Sequence, residues 1–404
     1  MPWKEITQVE QRRSFIHTVF LRRKPMAQVC AEFQISEKTG YKWVRRFLQE
    51  GDESLADRSH APHTIPHRMP EATAAYFLSL RRQHPTWGPR KLVAYAAAHE
   101  ATRQWPAPSS VGALLKQAGM VRQRRFRKAG RVGNAWGQTV AGEPNAVWTA
   151  DFKGEFRLGT GPYCYPLTVL DAHSRYLLGC HALDSTRGRD TMVVFRQLFR
   201  EYGLPAVIRT DNGPPFGSGA AIARLSPLAV WWIRLGIRPE RITPGQPQEN
   251  GAHERMHRTL KAETTRPAAP TWRGQQRRFD AFRASYNTER PHEALGLHPP
   301  GTVYTPSSRP YPGRLPKLDY PPGTDVRRVT SIGQTCWRGT HIFLSSLLAG
   351  QDVGIEQATD QRWTVAFGPL ILGHINAATS TFEPAAYWRP SPITPVHDSP
   401  VSPV

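Results

Sequence analysis

Acidic residues are scarce in this 404-residue chain, which has 32 Asp and Glu against 53 Lys and Arg and a formal net charge of +21. Such an excess of positive charge indicates a polyanionic partner. Nucleic acid is the first candidate, because every phosphate neutralised by a basic side chain releases a condensed counterion and so favours binding. The alternatives are a ribosomal protein or a soluble protein that is merely basic.

Cysteines and long apolar runs are also few. The four cysteines, Cys30, Cys164, Cys180 and Cys336, form no Cys-x-x-Cys pair of the kind typical of zinc or redox sites. No apolar run approaches the roughly 18 residues that span a bilayer, and the N-terminus has no signal-peptide core. We therefore expect structural thiols in a soluble protein of the cytoplasm.

The length of the chain predicts about three or four domains. Changes in composition place the boundaries between them. We expect a helix-turn-helix domain at 1–55, a linker at 56–70, a second helix-turn-helix-like domain at 71–125, a basic linker at 126–146, a central α/β core at 147–300, a Pro-rich linker at 301–325, a small β-barrel at 326–378 and a Pro/Ser-rich tail at 379–404.

Three helices are predicted in residues 1–55. Ser36 is placed to cap the third, in which Val44, Phe47 and Leu48 can pack inward. The residues predicted to face outward and contact DNA are Lys38, Thr39, Lys42, Arg45 and Arg46. A short second helix before a basic third one is typical of a helix-turn-helix, whose last helix enters the major groove. The alternative is a three-helix protein-interaction module with solvated charges.

Residues 71–120 repeat this pattern less clearly. We predict helices from about Ala72 to Gln83, after Gly88, and from Ser109 or Ser110 to Gln117. Pro89 suits a first helical turn and Gly119 a C-cap. A second helix-turn-helix would let the protein read a longer DNA site than one such domain can.

Strands are predicted from residue 147 onward. We expect strands at 147–152, 163–170 and 176–183, a helix at 189–202, a strand at 205–210, a helix near 220–235, a strand near 237–242 and a helix from about Gly251. This order predicts an α/β layer with a mixed sheet.

Two aspartates lie on these strands, Asp151 in the first and Asp211 at the end of the fourth. A pair of divalent ions that serves phosphoryl transfer needs carboxylates about 4 Å apart on rigid elements. Asp151 and Asp211 are well placed for this if their two strands are neighbours. Taken singly, each residue has an ordinary explanation, since Asp211-Asn212-Gly213 is also typical of a tight turn.

Three sequence blocks resemble the catalytic blocks of DDE transposases with a retroviral-integrase-like core. They are WTAD at 148–151, TDNGPPF at 210–216 and PQENGAHERMHRTLK at 247–261, and YNTERPHEALG at 286–296 resembles the end of that core. Across residues 5 to 375 the chain is most similar to the bacterial insertion-sequence family four-eight-one. The resemblance implies a ribonuclease-H-like fold, Asp151, Asp211 and Glu254 as catalytic metal ligands, and two Mg²⁺ ions per site, for which Mn²⁺ can substitute.

The third acid departs from the usual spacing. Glu254 follows Asp211 by 43 positions, more than is usual in the superfamily, whereas Glu249 follows it by 38. Spacing favours Glu249, but the Gly-x-x-Glu register at 251–254 favours Glu254, and an insertion within 216–232 accounts for the extra length.

The helix from Gly251 is predicted to carry more than the acid. Arg258 and Lys261 lie four and seven positions after Glu254, on one face, and we expect them to contact DNA. His253 and His257 have the spacing of zinc ligands but lack a third ligand. We expect His253 to contact DNA as well.

Residues 326–375 read as short strands separated by glycines, including one at 329–332, and predict a small β-barrel that binds DNA or a second subunit. Taken together, the sequence predicts a transposase that binds terminal repeats, cuts element ends and joins the 3′ hydroxyl to target DNA. The expected partners are double-stranded DNA at the terminal repeats and target, and at least one further copy of the chain, at the bacterial nucleoid. The alternatives are a catalytically silent DNA-binding regulator and a metal-dependent nuclease without strand transfer.

Overall fold

The computed structural model describes residues 7–57, 69–121, 139–217, 221–243 and 250–385. The chain divides into two compact units, Met1–Arg68 and Met69–Val404. The predicted linker at 56–70, the basic linker at 126–146 and the tail at 379–404 lie largely outside the described residues, and Glu249 lies outside them as well.

The first unit contains three helices, α1 (Gln8–Phe20), α2 (Met26–Glu32) and α3 (Glu37–Glu50). Ser36 caps α3 as predicted, because its side chain accepts a hydrogen bond from the Thr39 amide. Gly40 lets α3 approach α2 closely, since a Cβ atom at this position would lie 2.5 Å from Cys30 Sγ. The buried side chains are Phe15, Ile16, Val29, Cys30, Trp43 and Leu55.

The inward face of α3 differs from the prediction. Leu48 is 67% exposed, and the buried positions are Gly40 and Trp43. Val44 and Phe47 are only partly buried against this core. The prediction for Leu48 was therefore wrong, because Trp43 one turn earlier fills the space between the helices.

The second unit begins with another three-helix module, α4 (Glu71–Gln83), α5 (Pro89–His99) and α6 (Pro108–Gln117). Pro89 occupies the first turn of α5 as predicted. Gly119 follows α6 with a φ of 66°, the left-handed conformation that ends helices. Phe77, Trp87 and Leu92 are fully buried among these helices, so the module has its own core.

A mixed sheet follows. Its strands are β1 (Val147–Phe152), β2 (Phe156–Arg157), β3 (Tyr163–Asp171), β4 (Leu177–Leu183), β5 (Val207–Thr210) and β6 (Arg238–Arg241). β3 lies between β1 and β4 and is antiparallel to both, whereas β1, β5 and β6 run parallel in that order. The predicted mixed sheet is confirmed, with β2 as an additional short strand paired to β3.

Helices cover both faces of this sheet. They are α7 (Gly188–Tyr202), α8 (Pro227–Arg234), α9 (Gly251–Thr264) and α10 (Trp272–Thr288). Trp148 and Ala150 of β1 pack with α7 and α8, whereas Leu170 and Leu177 pack with α9 and α10. The two apolar clusters lie on opposite faces because successive strand residues alternate in direction.

The helix predicted near 220–235 is shorter than expected. A 3-10 turn occupies Ile222–Arg224, and α8 begins only at Pro227, after Ser226 accepts a hydrogen bond from the Ala229 amide. A capping serine followed by proline fixes the start of a helix. The extra residues before α8 therefore form a separate turn.

The C-terminal region consists of β7 (Asp325–Arg328), β8 (Gln334–Trp337), β9 (Thr340–Phe343), β10 (Asp352–Thr359), β11 (Arg362–Phe367), β12 (Leu370–Asn376) and β13 (Thr381–Pro384). Five of these strands form an antiparallel sheet in the order β13, β12, β11, β10, β7, and β8 pairs with β9. The hairpin β8–β9 contacts both edge strands, β7 and β13. The predicted barrel is thus an open sheet in its hydrogen bonding, with its edges bridged by a hairpin.

Two details of this region were predicted incorrectly. The strand expected at 329–332 does not form. β7 ends just before it, at Arg328, and residues 331–332 form a turn that leads into β8. The β region also extends past 378, because β13 runs to Pro384.

The C-terminal sheet shares its core with α8. Ala229, Val230 and Ile233 of α8 lie in one apolar cluster with Val353 and Phe367 of the sheet. Arg234 adds hydrogen bonds to the Pro316 carbonyl and the Gln351 side chain. Residues 301–325, predicted as a linker, are therefore packed between the two sheets. None of the described helices is long and apolar enough to cross a membrane.

Candidate active site

Asp151 and Asp211 lie next to each other on neighbouring parallel strands. Ala150 of β1 is paired with Thr210 of β5; Asp151 is the next residue in β1, and Asp211 directly follows the end of β5. The condition set by the sequence, that these two strands be adjacent, is met. Residues at equivalent positions of neighbouring strands point to the same face, so both carboxylates belong to one side of the sheet.

That side is the one covered by α9. Thr149 precedes Asp151 by two positions and therefore shares its face. The Thr149 hydroxyl lies 2.7 Å from His253 Nδ1 of α9. The carboxylate of Asp151 is thus directed to the layer that carries Glu254.

The Asp151 carboxyl is hard to ionise in the metal-free protein. Burial raises its pKa to about 7, and the negative charges of Asp211 and Glu254 add to this effect. In the described part of the chain, the one side chain in ion-pair contact with it is His257, whose Nδ1 lies 3.6 Å from Asp151 Oδ2. Burial lowers the pKa of His257 far below its usual range, so this imidazole is neutral.

Asp211 is in a similar position. Burial raises its pKa, while a hydrogen bond from the Gly213 amide to Oδ1, at 3.3 Å, and the charge of Arg241 oppose the rise. Arg241 is held by the carbonyls of Phe216 and Arg224 through Nη2, and its Nη1 is buried without a hydrogen-bond partner. Arg241 was not identified from the sequence, because no motif marks it.

Glu254 lies in the first turn of α9 and is exposed. Arg258 and Lys261 are exposed on the same helix, whereas Met256 and Leu260 are buried as expected. The helix thus presents one acid and two cations on its open face. Its spacing of four and seven residues puts all three side chains along one stripe.

The three predicted acids are near enough for their charges to interact, but their carboxylates do not converge on one metal position. Among the described residues, no three His, Cys, Asp or Glu side chains are grouped closely enough to hold a metal ion. The chemistry of the donors nevertheless suits Mg²⁺, which prefers carboxylate oxygens. Burial, followed by the negative charges of Asp211 and Glu254, raises the pKa of Asp151 more than Lys153 lowers it, and a divalent ion would offset both raising effects.

A buried polar network fastens α9 to the sheet beside Asp151. The hydroxyl of Thr168 on β3 lies 3.0 Å from the Asp151 carbonyl oxygen, 2.7 Å from His253 Nε2 and 2.6 Å from His257 Nε2. Thr168 and His253 are fully buried, and His257 nearly so. Each group in this network must therefore find its hydrogen-bond partner within it.

Proton counting fixes the roles in this network. A carbonyl oxygen only accepts, so the Thr168 hydroxyl donates to Asp151, and both Nε2 atoms must donate to Thr168. His253 Nδ1 then accepts from the Thr149 hydroxyl at 2.7 Å, and that hydroxyl has no second proton for the Leu170 carbonyl, which lies 3.3 Å away. Both histidines are held as the same neutral tautomer, on either side of Glu254 in the chain.

The expectation that His253 contacts DNA was wrong, because its side chain is 0% exposed. The zinc interpretation of His253 and His257 also has no third ligand among the described residues. Their partners Thr149 and Thr168 lie on strands far away in the sequence. A buried Thr in an otherwise apolar strand was the one signal that pointed to this network.

In the first unit, the residues predicted to contact DNA lie on α3. Lys38, Lys42 and Arg45 are exposed, and Thr39 and Arg46 are partly so. The charged ends of Lys42 and Arg46 lie 5.3 and 5.0 Å from the Trp43 ring centroid. The tryptophan thus orients two of the outward cations while it fills the core.

Family comparisons agree with this division. The integrase core domain matches residues 141–247, and a second integrase core domain family matches 235–300. Homeodomain-like domains match 18–56 and 39–115. The helix-turn-helix-like and integrase-core fold classes expected from the sequence are therefore confirmed.

Two relatives belong to bacterial insertion elements. An uncharacterized 39.2 kDa protein of insertion element IS476 from Xanthomonas euvesicatoria is 29% identical over 246 residues, which is 60% of this chain and 66% of that protein. An uncharacterized 31.7 kDa protein of IS407 from Burkholderia multivorans is 28% identical over 242 residues, 58% of this chain and 81% of that protein. Among solved structures, the magnesium-bound catalytic core domain of HTLV-2 integrase covers 40% of this chain and 98% of its own, at 16% identity and a TM-score of 0.33.

Proposed function

We propose that this chain is a DDE transposase with an integrase-like core, a polynucleotidyl transferase that cuts the ends of an insertion sequence and joins their 3′ hydroxyls to target DNA. The observation that carries the proposal is the parallel pairing of β1 with β5, which puts Asp151 beside Asp211 on the face covered by α9. We assign the element to insertion-sequence family four-eight-one.

We propose Asp151, Asp211 and Glu254 as the residues that hold Mg²⁺, with Mn²⁺ as a substitute. The bound metal pair would activate the attacking oxygen and stabilise the leaving one. The chain itself supplies rigid placement, because two of the acids lie on paired strands and the third on a helix fastened to them by Thr168. Rigid placement is what phosphoryl transfer needs most from a protein.

The remaining charges are suited to DNA. Arg258 and Lys261 extend from the acid along α9 and would contact backbone phosphates near the cut. The basic face of α3 would read the terminal repeat in the major groove, and the module α4–α6 would extend the contact. Because two ends must be joined, at least two copies of the chain would assemble on the DNA, at the nucleoid.

The test is strand transfer by the purified full chain, with Mg²⁺ and labelled duplexes that carry the element's own ends. Asp211→Asn should lose the joined product while it retains end binding. The matched control is Asp184→Asn, an exposed aspartate outside the site, which should join normally. Joining that survives in Asp211→Asn would refute the proposed site, whereas cutting without joining by the unmodified protein would identify a nuclease.

A further inference from the structure

Four basic side chains from separate elements meet where the α4–α6 module lies on the catalytic core. They are Lys91 of α5, Arg175 between β3 and β4, Arg255 of α9 and Arg290 just after α10, and we name them the cationic cluster. Arg290 Nη1 joins the two parts, at 3.1 Å from Thr86 Oγ1 of the module and 3.0 Å from Glu263 Oε1 of α9. Glu263 also accepts a hydrogen bond from Thr86.

The cluster has more cations than anions. Glu263 forms an ion pair with Arg290, and the Glu293 carboxylate lies 4.0 Å from the Arg90 guanidinium. Asp171, beside Arg175, already accepts hydrogen bonds from the Asn145 amide and from Ser174. The nearby carboxylates are therefore committed to other donors.

Three of the cations are left without a partner. In the described part of the chain, the side chains of Lys91, Arg175 and Arg255 make no hydrogen bond or ion pair. The neighbouring His292 is neutral, because burial lowers its pKa to about 3, and its buried Nε2 has no hydrogen-bond partner among the described residues. Arg255 is exposed and Lys91 and Arg175 are half-buried, so water can reach all three, but three neighbouring positive charges without a partner are suited to an anionic ligand.

The electrostatics agree with this geometry. Burial lowers the pKa of Lys91 to about 8, and the positive charges of Arg290 and Arg255 lower it further. Burial also lowers the pKa of Arg175, and Arg255 adds to that effect. An anion placed among these groups would offset both the burial and the mutual repulsion.

We propose that the cationic cluster binds a backbone phosphate of the DNA whose end enters the active site. The inference rests on the proposed function and extends its DNA-binding surface to the junction between the α4–α6 module and the core. Arg255 directly follows Glu254, so a phosphate bound here would lie along α9 next to the acid. A duplex is favoured over a small anion because Arg258 and Lys261 continue the positive charge along the same helix.

The first test measures binding of a labelled duplex by the full chain across a KCl series, in EDTA so that no cutting occurs. Lys91→Gln and Arg255→Gln should each weaken binding about tenfold. Each should also reduce the slope of log affinity against log salt by about 1, as expected for the loss of one phosphate contact. The control Arg200→Gln, an exposed arginine on α7, should change neither by as much.

A second measurement locates the phosphate. Duplexes with one neutral methylphosphonate at successive positions should reveal a position that weakens binding to the unmodified protein but not to Lys91→Gln. Thermal unfolding of each variant shows that the fold is kept. Slopes and methylphosphonate profiles of Lys91→Gln and Arg255→Gln that match those of Arg200→Gln would overturn the proposal.

Two further outcomes separate this proposal from the proposed function. Phosphate contacts are independent of sequence, so a random duplex should show the same loss of slope as an end duplex. If both duplexes bind equally in every respect, end recognition fails while the cluster stands. If inorganic phosphate stabilises the protein as much as duplex does, and Lys91→Gln removes that effect alone, the cluster binds a free anion and the DNA assignment is overturned.

Discussion

Thr168 lies directly across the sheet from Asp151, and its hydroxyl donates a hydrogen bond to the Asp151 carbonyl while it accepts from two histidines of α9. One side chain therefore ties together the strand of the first acid and the helix of the third. Together with the Thr149–His253 contact and the packing of Met256 and Leu260, this hydroxyl fixes the position of Glu254 relative to Asp151.

Thr168→Val should remove that tie. The substitution leaves two buried N–H donors without an acceptor, which we expect to cost about 1–3 kcal/mol each at most and less if the helix shifts. Urea unfolding measures the loss, and strand transfer should fall more than end binding does. Thr168→Ser keeps the hydroxyl and should retain most of both, so an equal defect in the two variants would contradict the positioning role.

Asp151 should make the metal-free protein sensitive to pH. Its pKa is raised from 3.8 to about 7, so between these values the folded state binds more protons than the unfolded chain. Stability therefore falls as the pH rises from about 4 to about 7 and is level above that. Asp151→Asn should be more stable than the unmodified protein at pH 8 in EDTA, on the order of 1–2 kcal/mol after allowance for partial exposure.

The control for this prediction is Asp184→Asn, which should show no such pH-dependent gain. Mg²⁺ at pH 8 should stabilise the unmodified protein and have less effect on Asp151→Asn. Thermal unfolding at pH 4 and pH 8, with and without Mg²⁺, measures both effects. A stability difference that is the same at the two pH values would show that Asp151 does not titrate in this range.

The sequence was sufficient for the parts of the site that depend on local pattern. The apolar strand that contains Asp151 and the one that leads to Asp211 could be recognised from their composition and from the turn after Asp211. The mixed sheet followed from the order of the elements. What remained was to show that the two strands are neighbours, which only the register of β1 and β5 establishes.

The parts that depend on distant contacts could not be predicted. His253 looks like a surface residue beside an acid, and only its partners Thr149 and Thr168, more than 80 positions away, explain its burial. Leu48 follows the helical period of its neighbours, yet it is exposed, and Trp43 is the side chain that is buried in the core. Periodicity indicates which residues share a face but not which of them finds a partner.

Gly40 should be essential to the first unit. An added Cβ would lie 2.5 Å from Cys30 Sγ, so we expect Gly40→Ala to destabilise this unit by about 1–3 kcal/mol through overpacking. Urea unfolding followed by far-UV circular dichroism measures the change in the helical first unit. Cys30→Ala in the same chain removes the obstructing sulfur and should restore part of the loss, and a double variant as unstable as Gly40→Ala would point to another cause.

The basic face of α3 should contribute to recognition of the DNA end. Lys42→Ala and Arg45→Ala remove exposed cations from this face, and each should weaken binding of an end duplex by about 1–3 kcal/mol if it contacts a base edge. A phosphate contact would instead weaken all duplexes alike. Fluorescence anisotropy with end and random duplexes distinguishes the two, and Arg23→Ala, an exposed cation before α2, is the control.

The apolar face that α8 shares with the C-terminal sheet limits how the chain can be divided. Truncation of the chain near residue 312 would expose Ala229, Val230 and Ile233 to solvent. A soluble fragment that contains only the catalytic region would therefore be hard to obtain. Because α8 shares this core, any rearrangement of the last seven strands would also shift α8, which lies between β5 and β6. The C-terminal strands are therefore part of the hydrophobic core that supports the catalytic region, and they are not an independent domain.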